Sequence, residues 1–375
     1  VKDYSDSPFL VIWEVTQACD LACRHCRATA QPSRHPAELT TEEGFRLLDQ
    51  VKGFGHPLMV FTGGDPLKRP DLLPLLRYST SIGLRTTVTP SATPLLTPQA
   101  IAGFKTAGVC RIALSVDGAD AGTHDRFRGV EGSYALTMRG FAAARAAQLE
   151  TQVNTTVTRG NLHQLPRIAE LVEQAGARMW SVFFLVTTGR AVESDDLTAE
   201  EYEQVFAFLY ELGTRAPFDI KTTEAPHYRR YVSQRKRAEG LTSSATRRMM
   251  DDSPAVLRQA GIRDVKGLLF VSHAGDIFPS GFLPVSAGNL RTMSLADAYR
   301  NTPLFQVLRD SDALGGKCGD CNYRHLCGGS RARALAVSGD YMAEEPRCSY
   351  QPSAAQQPGS AHGASPQPQP EGAYV

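Results

Sequence analysis

Short apolar runs alternate with amphipathic stretches through the first half of the chain. Residues 9–15 form a continuous apolar run broken only by Glu14, as expected of a buried strand. Residues 40–51 carry the helical period, with Thr40 or Thr41 placed to cap and Glu42 and Glu43 in the first turn. The alternation then repeats. Strands are predicted at 58–61, 85–89, 111–116, 151–157 and 179–186, and helices at 71–82, 98–106, 134–148 and 164–174. Six strand-to-helix steps at a spacing of about 30 residues predict a parallel α/β sheet with right-handed crossovers. Periodicity leaves open whether those strands close, curl or lie flat.

Beyond residue 190 the pattern changes. A helix is predicted over 197–212. The stretch 227–251 is basic, with Tyr228-Arg229-Arg230, Arg235-Lys236-Arg237 and Arg247-Arg248, and reads as a solvated loop and helix face. Apolar runs at 268–272 and 276–279 flank His273-Ala274-Gly275, a hairpin signal. Residues 351–375 are rich in Pro, Gln, Ala, Ser and Gly, and a disordered tail is expected there.

Charge narrows the partners. Forty Lys and Arg against 39 Asp and Glu leave a net charge of +1, with no global attraction to nucleic acid or an anionic membrane. No apolar run reaches the roughly 18 residues of a membrane span. The opening residues Val1 to Asp6 lack the basic-then-apolar layout of a secretion signal, so a cytoplasmic location is expected. A chain of 375 residues can bury a core without disulfides.

The eight cysteines are nevertheless clustered. Cys19, Cys23 and Cys26 follow directly on the first strand. Cys318, Cys321 and Cys327 form a second group, with Cys348 beyond it. Cys110 stands alone and reads as a structural thiol. Close thiols in a cytosolic-looking chain point to metal. Three thiols suit a [4Fe–4S] cube with one iron open to a ligand, and a structural metal knuckle is the competing reading. Four thiols close a site completely, and zinc or iron–sulfur would both serve.

The Cys-x3-Cys-x2-Cys spacing at Cys19, Cys23 and Cys26 resembles that of the radical S-adenosylmethionine (SAM) superfamily. Thr62-Gly63-Gly64-Asp65-Pro66 at the end of strand two is similar to that family's Gly-Gly-Glu-Pro motif, with Asp65 for the usual Glu. The resemblance implies that this backbone contacts the methionine amine of SAM. Ser115-Val116-Asp117-Gly118, followed by His124-Asp125 and Arg128-Gly129, resembles the segment that holds the SAM carboxylate and ribose. By the same resemblance, Asn154 and Leu185 meet the ribose and adenine, and His25 takes an aromatic place near the adenine. Thr89-Pro90-Ser91 departs from the family's usual Thr-Asn-Gly.

The second cysteine group resembles the SPASM extension of radical SAM enzymes. All four ligands of its distal [4Fe–4S] cluster are matched by Cys318, Cys321, Cys327 and Cys348. Its proximal cluster is not matched, since Ser280 and Arg331 stand where cysteines are expected. Gly281 stands where sulfatase-maturing relatives carry a catalytic Asp.

The fold expected is therefore a partial (β/α)6 barrel followed by a small cysteine-rich α+β domain. The resemblance implies a radical SAM core over 1–190, a bridging helical region over 191–267, a SPASM domain over 268–350 and the tail over 351–375. It implies two [4Fe–4S] clusters, SAM as cofactor and a reductant such as flavodoxin or ferredoxin. Reductive cleavage of SAM would yield a 5′-deoxyadenosyl radical that abstracts hydrogen from a tetrapyrrole or other cofactor precursor, with no membrane or nucleic-acid partner. Two alternatives stand beside it. A peptide or protein maturase would be expected to carry a peptide-binding winged-helix segment before residue 9. A non-catalytic zinc protein would use the same seven thiols to hold its fold. No catalytic acid or base stands out.

Overall fold

The computed structural model describes residues 4–240 and 266–352. Its centre is one ten-stranded sheet in the order β10-β9-β8-β1-β2-β3-β4-β5-β6-β7. The strands are β1 (Leu10–Glu14), β2 (Leu58–Thr62), β3 (Arg85–Val88), β4 (Arg111–Ser115), β5 (Glu150–Val157), β6 (Met179–Phe184), β7 (Asp219–Thr223), β8 (Leu268–Val271), β9 (Asp276–Phe278) and β10 (Gly288–Asn289). From β8 through β1 to β7 every pairing is parallel, and β9 and β10 add an antiparallel edge. Helices connect the parallel strands: α1 (Thr41–Gly53), α2 (Leu72–Ser81), α3 (Pro98–Thr106), α4 (Ala121–Arg128), α5 (Ser133–Ala146), α6 (Leu165–Gln174), α7 (Ala199–Gly213) and α8 (Tyr228–Ala238). This is the partial barrel expected.

Local chemistry explains the element boundaries. The Thr40 hydroxyl accepts from the Glu43 amide at 3.2 Å, and the Glu43 carboxylate accepts from the Thr40 amide at 2.8 Å. That reciprocal box satisfies two donors that the first turn of α1 would otherwise leave open. Strand alternation divides the sheet's faces. Val11 and Trp13 of β1 are fully buried in the helix-side core with Phe61, Leu75 and Ile112. Glu14, Thr62, Ser115 and Asn154 fall at strand ends or on the opposite, inner face, where polar groups gather.

Two further parallel strands, β7 and β8, extend the sheet beyond the predicted six. β7 lies inside the stretch expected to be a helical bridge. Its Asp219-Ile220-Lys221-Thr222-Thr223 offers only one apolar residue to the core, so no hydrophobic run marks it. β8 forms the expected hairpin with β9 but also pairs in parallel with β1, Leu10 opposite Leu268. The basic stretch is likewise not all solvated. α8 buries Tyr228, Arg230 and Val232, and Arg230 pairs with Glu203 and donates to Gln234 at 2.7 Å. Arg247-Arg248 and the end of the tail lie outside the described residues.

The last third adds α9 (Leu295–Asn301), α10 (Pro303–Arg309), α11 (Gly316–Gly319) and α12 (Arg331–Ser338). Cys110 precedes β4 and is half-buried, with its amide donating to the Thr86 carbonyl at 2.9 Å. Among the described residues no helix is long and apolar enough to cross a membrane.

Candidate active site and cysteine centres

A cavity of about 180 Å³ opens at the carboxyl ends of β1, β2, β4 and β5. In parallel α/β barrels this end collects loops that can be varied without disturbing the sheet. Cys19, Cys23 and Cys26 all line it, with His25, Gly63, Gly64, Ser115 and Asn154. Eight residues singled out from motifs scattered over 135 positions of sequence thus share one wall.

The cysteine loop is held against the two glycines. The Gly64 amide donates to the Thr16 carbonyl at 2.8 Å, and the Asp65 amide to the Ala18 carbonyl at 2.6 Å. A Cβ on Gly63 would lie 2.7 Å from the Thr16 carbonyl oxygen, and one on Gly64 only 2.5 Å from that of Ala18. Only glycine permits this approach.

Burial pushes the Cys19 and Cys23 thiols above their ordinary range, and the Arg128 guanidinium 3.8 Å from Cys23 opposes the shift. Thiols in that state release their protons to a metal that takes the proton's place. Among the described residues no three His, Cys, Asp or Glu close around a single metal ion. Three thiols opening on one cavity are the donor set of an iron–sulfur cube with one open iron.

Three other motif residues do not line this cavity. Asp65 is fully buried and accepts from Thr93 Oγ1 at 2.8 Å and from the Leu67 and Ser91 amides. Burial raises its carboxyl to about 6 against those hydrogen bonds. Its carboxylate therefore shapes the loop around the glycines. Asp117, also fully buried, accepts from the Thr156 amide at 2.7 Å and pairs with Arg128. Leu185 is buried, and its carbonyl accepts from Arg333 at 3.0 Å.

His25 is neutral, because burial and the nearby Arg128 and Arg190 charges lower its pKa well below the usual value. Its ring lies 4.5 Å from that of Phe127, tilted by 33°. Nδ1 has no hydrogen-bond partner. Motif reading passed over Arg190 and gave Ser91 no role. Arg190 donates from Nε to the Cys23 carbonyl at 3.0 Å, leaving Nη2 without a partner in the same cavity wall. Ser91 Oγ donates to the Gly64 carbonyl at 2.8 Å and lies 3.6 Å from Cys19 Sγ. Arg190 stands in no motif, and Ser91 stands only where the chain departs from the Thr-Asn-Gly pattern.

The second cysteine group forms its own cavity. Cys318, Cys321, Cys327 and Cys348 all line it, with His227 and Glu345. Backbone amides aim at three of the sulfurs: Glu345 at Cys318 (3.2 Å), Tyr323 at Cys321 (3.4 Å) and Gly329 at Cys327 (3.3 Å). Such donors favour thiolates. Burial nonetheless pushes the Cys327 thiol up to about 12. His227 is fully buried, and neither ring nitrogen has a hydrogen-bond partner, although Nδ1 lies 4.0 Å from the Glu345 carboxylate. A ring without hydrogen bonds in a cavity lined by four thiols fits a bound group whose atoms complete the pairing. Four thiols are the donor set of a closed iron–sulfur centre, and among the described residues no three of them close around a single ion as zinc would need.

The positions of a further cluster are differently used. Arg331 is buried and donates to the Tyr341 and Ala343 carbonyls at 3.1 and 2.6 Å. Ser280 is buried and accepts from the Phe282 amide at 3.3 Å. A Cβ on Gly281 would meet the Arg27 guanidinium at 3.0 Å.

Residues 13–175 match the Radical SAM superfamily. The chain is 42% identical over 354 residues to the AdoMet-dependent heme synthase of Nitratidesulfovibrio vulgaris, spanning 94% of this chain and 95% of that protein. It is 40% identical to the AdoMet-dependent heme synthase of Methanosarcina barkeri, over 93% of this chain and 98% of that one. The fold is similar to Streptococcus suis SuiB bound to S-adenosylmethionine, with a TM-score of 0.69 and 16% identity over 92% of this chain and 78% of that one.

Proposed function

This chain belongs to the radical SAM superfamily, and we propose that it acts as an AdoMet-dependent heme synthase on a tetrapyrrole precursor. One observation carries the reading: identity above 40% with the Nitratidesulfovibrio heme synthase extends over nearly the whole of both chains. The radical SAM enzymes work with a [4Fe–4S] cluster and SAM, which together supply a 5′-deoxyadenosyl radical for hydrogen abstraction.

The protein's own residues bind, orient and exclude water. Cys19, Cys23 and Cys26 would hold the open cluster. The Gly63-Gly64 backbone would meet the SAM amine, and Ser115 and Asn154 its carboxylate and ribose. Asp65 and Asp117 act at one remove, by fixing the loops that carry those contacts. Arg128 keeps positive charge beside Cys23, which suits a cluster of thiolates. Leu185, with its carbonyl held by Arg333, fixes the exit of β6 near the adenine.

Cys318, Cys321, Cys327 and Cys348 would hold a second [4Fe–4S] cluster. Full ligation leaves it no site for substrate, so its role is electron transfer or scaffolding. Flavodoxin or ferredoxin would serve as reductant. The divisions 1–190, 191–267 and 268–350 describe the core, bridge and SPASM parts in this reading.

The test is anaerobic incubation of iron-reconstituted protein with SAM, dithionite and candidate iron tetrapyrroles, iron coproporphyrin III among them. Formation of 5′-deoxyadenosine together with heme is expected. Cleavage of SAM with no change in any tetrapyrrole would overturn the substrate assignment.

A further inference from the structure

Lys221 lies at the centre of β7, beyond the strands that frame the cavity. Strand register sets Ser115 beside Asn154, Asn154 beside Ser181, and Ser181 beside Lys221. Neighbours in one row of a parallel sheet share a face. Ser115 and Asn154 line the cavity. Ile220, next to Lys221, is packed into the opposite, helix-side core. Lys221 therefore faces the barrel lumen. At about 4.8 Å per strand, its Cα is about 10 Å across the sheet from that of Asn154.

Its ammonium has no hydrogen bond or ion pair among the described residues. The charge that acts on it is Arg229, of the same sign, and burial with this neighbour lowers its pKa to about 8. Two other lumen-side cations are neutralised, Arg27 by Glu14 at 2.9 Å and Arg128 by Asp117, while Arg190 is held by the Cys23 carbonyl at the cluster end of the cavity. A half-buried ammonium beside a second cation is costly unless an anion meets it. Among the described residues nothing supplies that anion, and a ligand in the lumen would.

We propose that Lys221 anchors a carboxylate of the substrate. The assignment rests on the tetrapyrrole reading above, since tetrapyrroles of the heme class carry carboxylate side chains on their rim. With Lys221 holding such a group on β7, the ring would lie across the lumen toward the Asn154 side, where SAM is placed. Lys221 is thus a specificity-determining residue, selecting an acidic macrocycle.

The test uses the full-length, iron-reconstituted protein and absorbance titration with iron coproporphyrin III or its tetramethyl ester. Replacing an ammonium–carboxylate contact by an apolar group costs about tenfold or more in affinity. Lys221→Met should therefore weaken the acid about tenfold or more, and Lys221→Arg by less than about threefold. The wild-type to K221M ratio for the ester should stay near one. Equal affinity of K221M and wild type for the acid would overturn the proposal. So would an equal loss with the ester, or weakened SAM binding with the porphyrin unaffected. If K221M holds less iron than wild type, Lys221→Gln carries the same comparison. Failure of the wild type itself to bind the acid would instead overturn the tetrapyrrole reading on which the proposal stands.

Discussion

Arg333 and Glu345 form an ion pair at 3.2 Å with both side chains about 1% exposed. Neither spends all its capacity on the other. Arg333 also donates to the Leu185 carbonyl at the end of β6 and to the Glu224 carbonyl after β7. Glu345 accepts from the Ser330 and Arg347 amides, and its own amide donates to Cys318 Sγ. The pair thus fastens the cysteine-rich segment to the barrel. Removing one partner of a buried pair leaves the other charge stranded. Arg333→Met should cost about 3–5 kcal/mol in a denaturant melt. The double variant Arg333→Met with Glu345→Leu should recover part of that loss. Additive losses would show that the pair is not coupled.

The two cysteine centres should separate by mutation. Cys23→Ala should abolish SAM cleavage. Cys321→Ala should leave cleavage in place but uncouple it from product. Iron analysis should find about eight irons per wild-type chain and about four in each variant. Zinc in place of iron at both centres would refute the enzyme reading.

Gly64 probes the support of the first centre without touching a ligand. A Cβ there would meet backbone oxygen on the cysteine loop, which cannot rotate away as a side chain could. Gly64→Ala should destabilise the protein by about 1–3 kcal/mol. It should also lower iron retention at the first centre, read by electron paramagnetic resonance, with the second centre unchanged.

Glu43 gives a prediction for pH. Its hydrogen bonds to Arg291, against a smaller opposing effect of burial, hold its carboxyl near 2 instead of 4.5. A folded-state pKa below the unfolded value stabilises above pH 4.5 and loses that contribution as pH falls toward 2. Glu43→Gln keeps the capping geometry and removes the charge. Its melting temperature should therefore fall below that of wild type at pH 7, and the gap should close between about pH 4.5 and 2. A constant gap across that window would show that charge is not the cause.

Legibility from sequence followed hydrophobic contrast. β1, β2, β4, β5 and β6 are visible because each presents two or more apolar residues to the helix-side core, as Val11 and Trp13 do in β1. β3 offers only Val88 and is read from the strand–helix alternation around it, whereas β7 offers only Ile220 and lies beyond residue 190, where that alternation breaks. At the active site, Cys19, Cys23, Cys26, Gly63 and Gly64 are marked by spacing close in sequence. Arg190, Lys221 and His227 reach their sites only through tertiary packing, and single Arg, Lys or His residues carry no local pattern. Asp65 and Asp117 are marked by motif, yet motif cannot distinguish a side chain that lines a cavity from one that braces its wall. Burial and hydrogen bonding make that distinction.

The parallel pairing of β1 with β8 also bears on how the chain is made. β1 leaves the ribosome early, while its partner is about 250 residues away. At about 5–20 residues per second, one side of β1 waits on the order of ten to fifty seconds for the strand that covers it. During synthesis that bare edge is the place where a nascent chain could pair with the wrong strand.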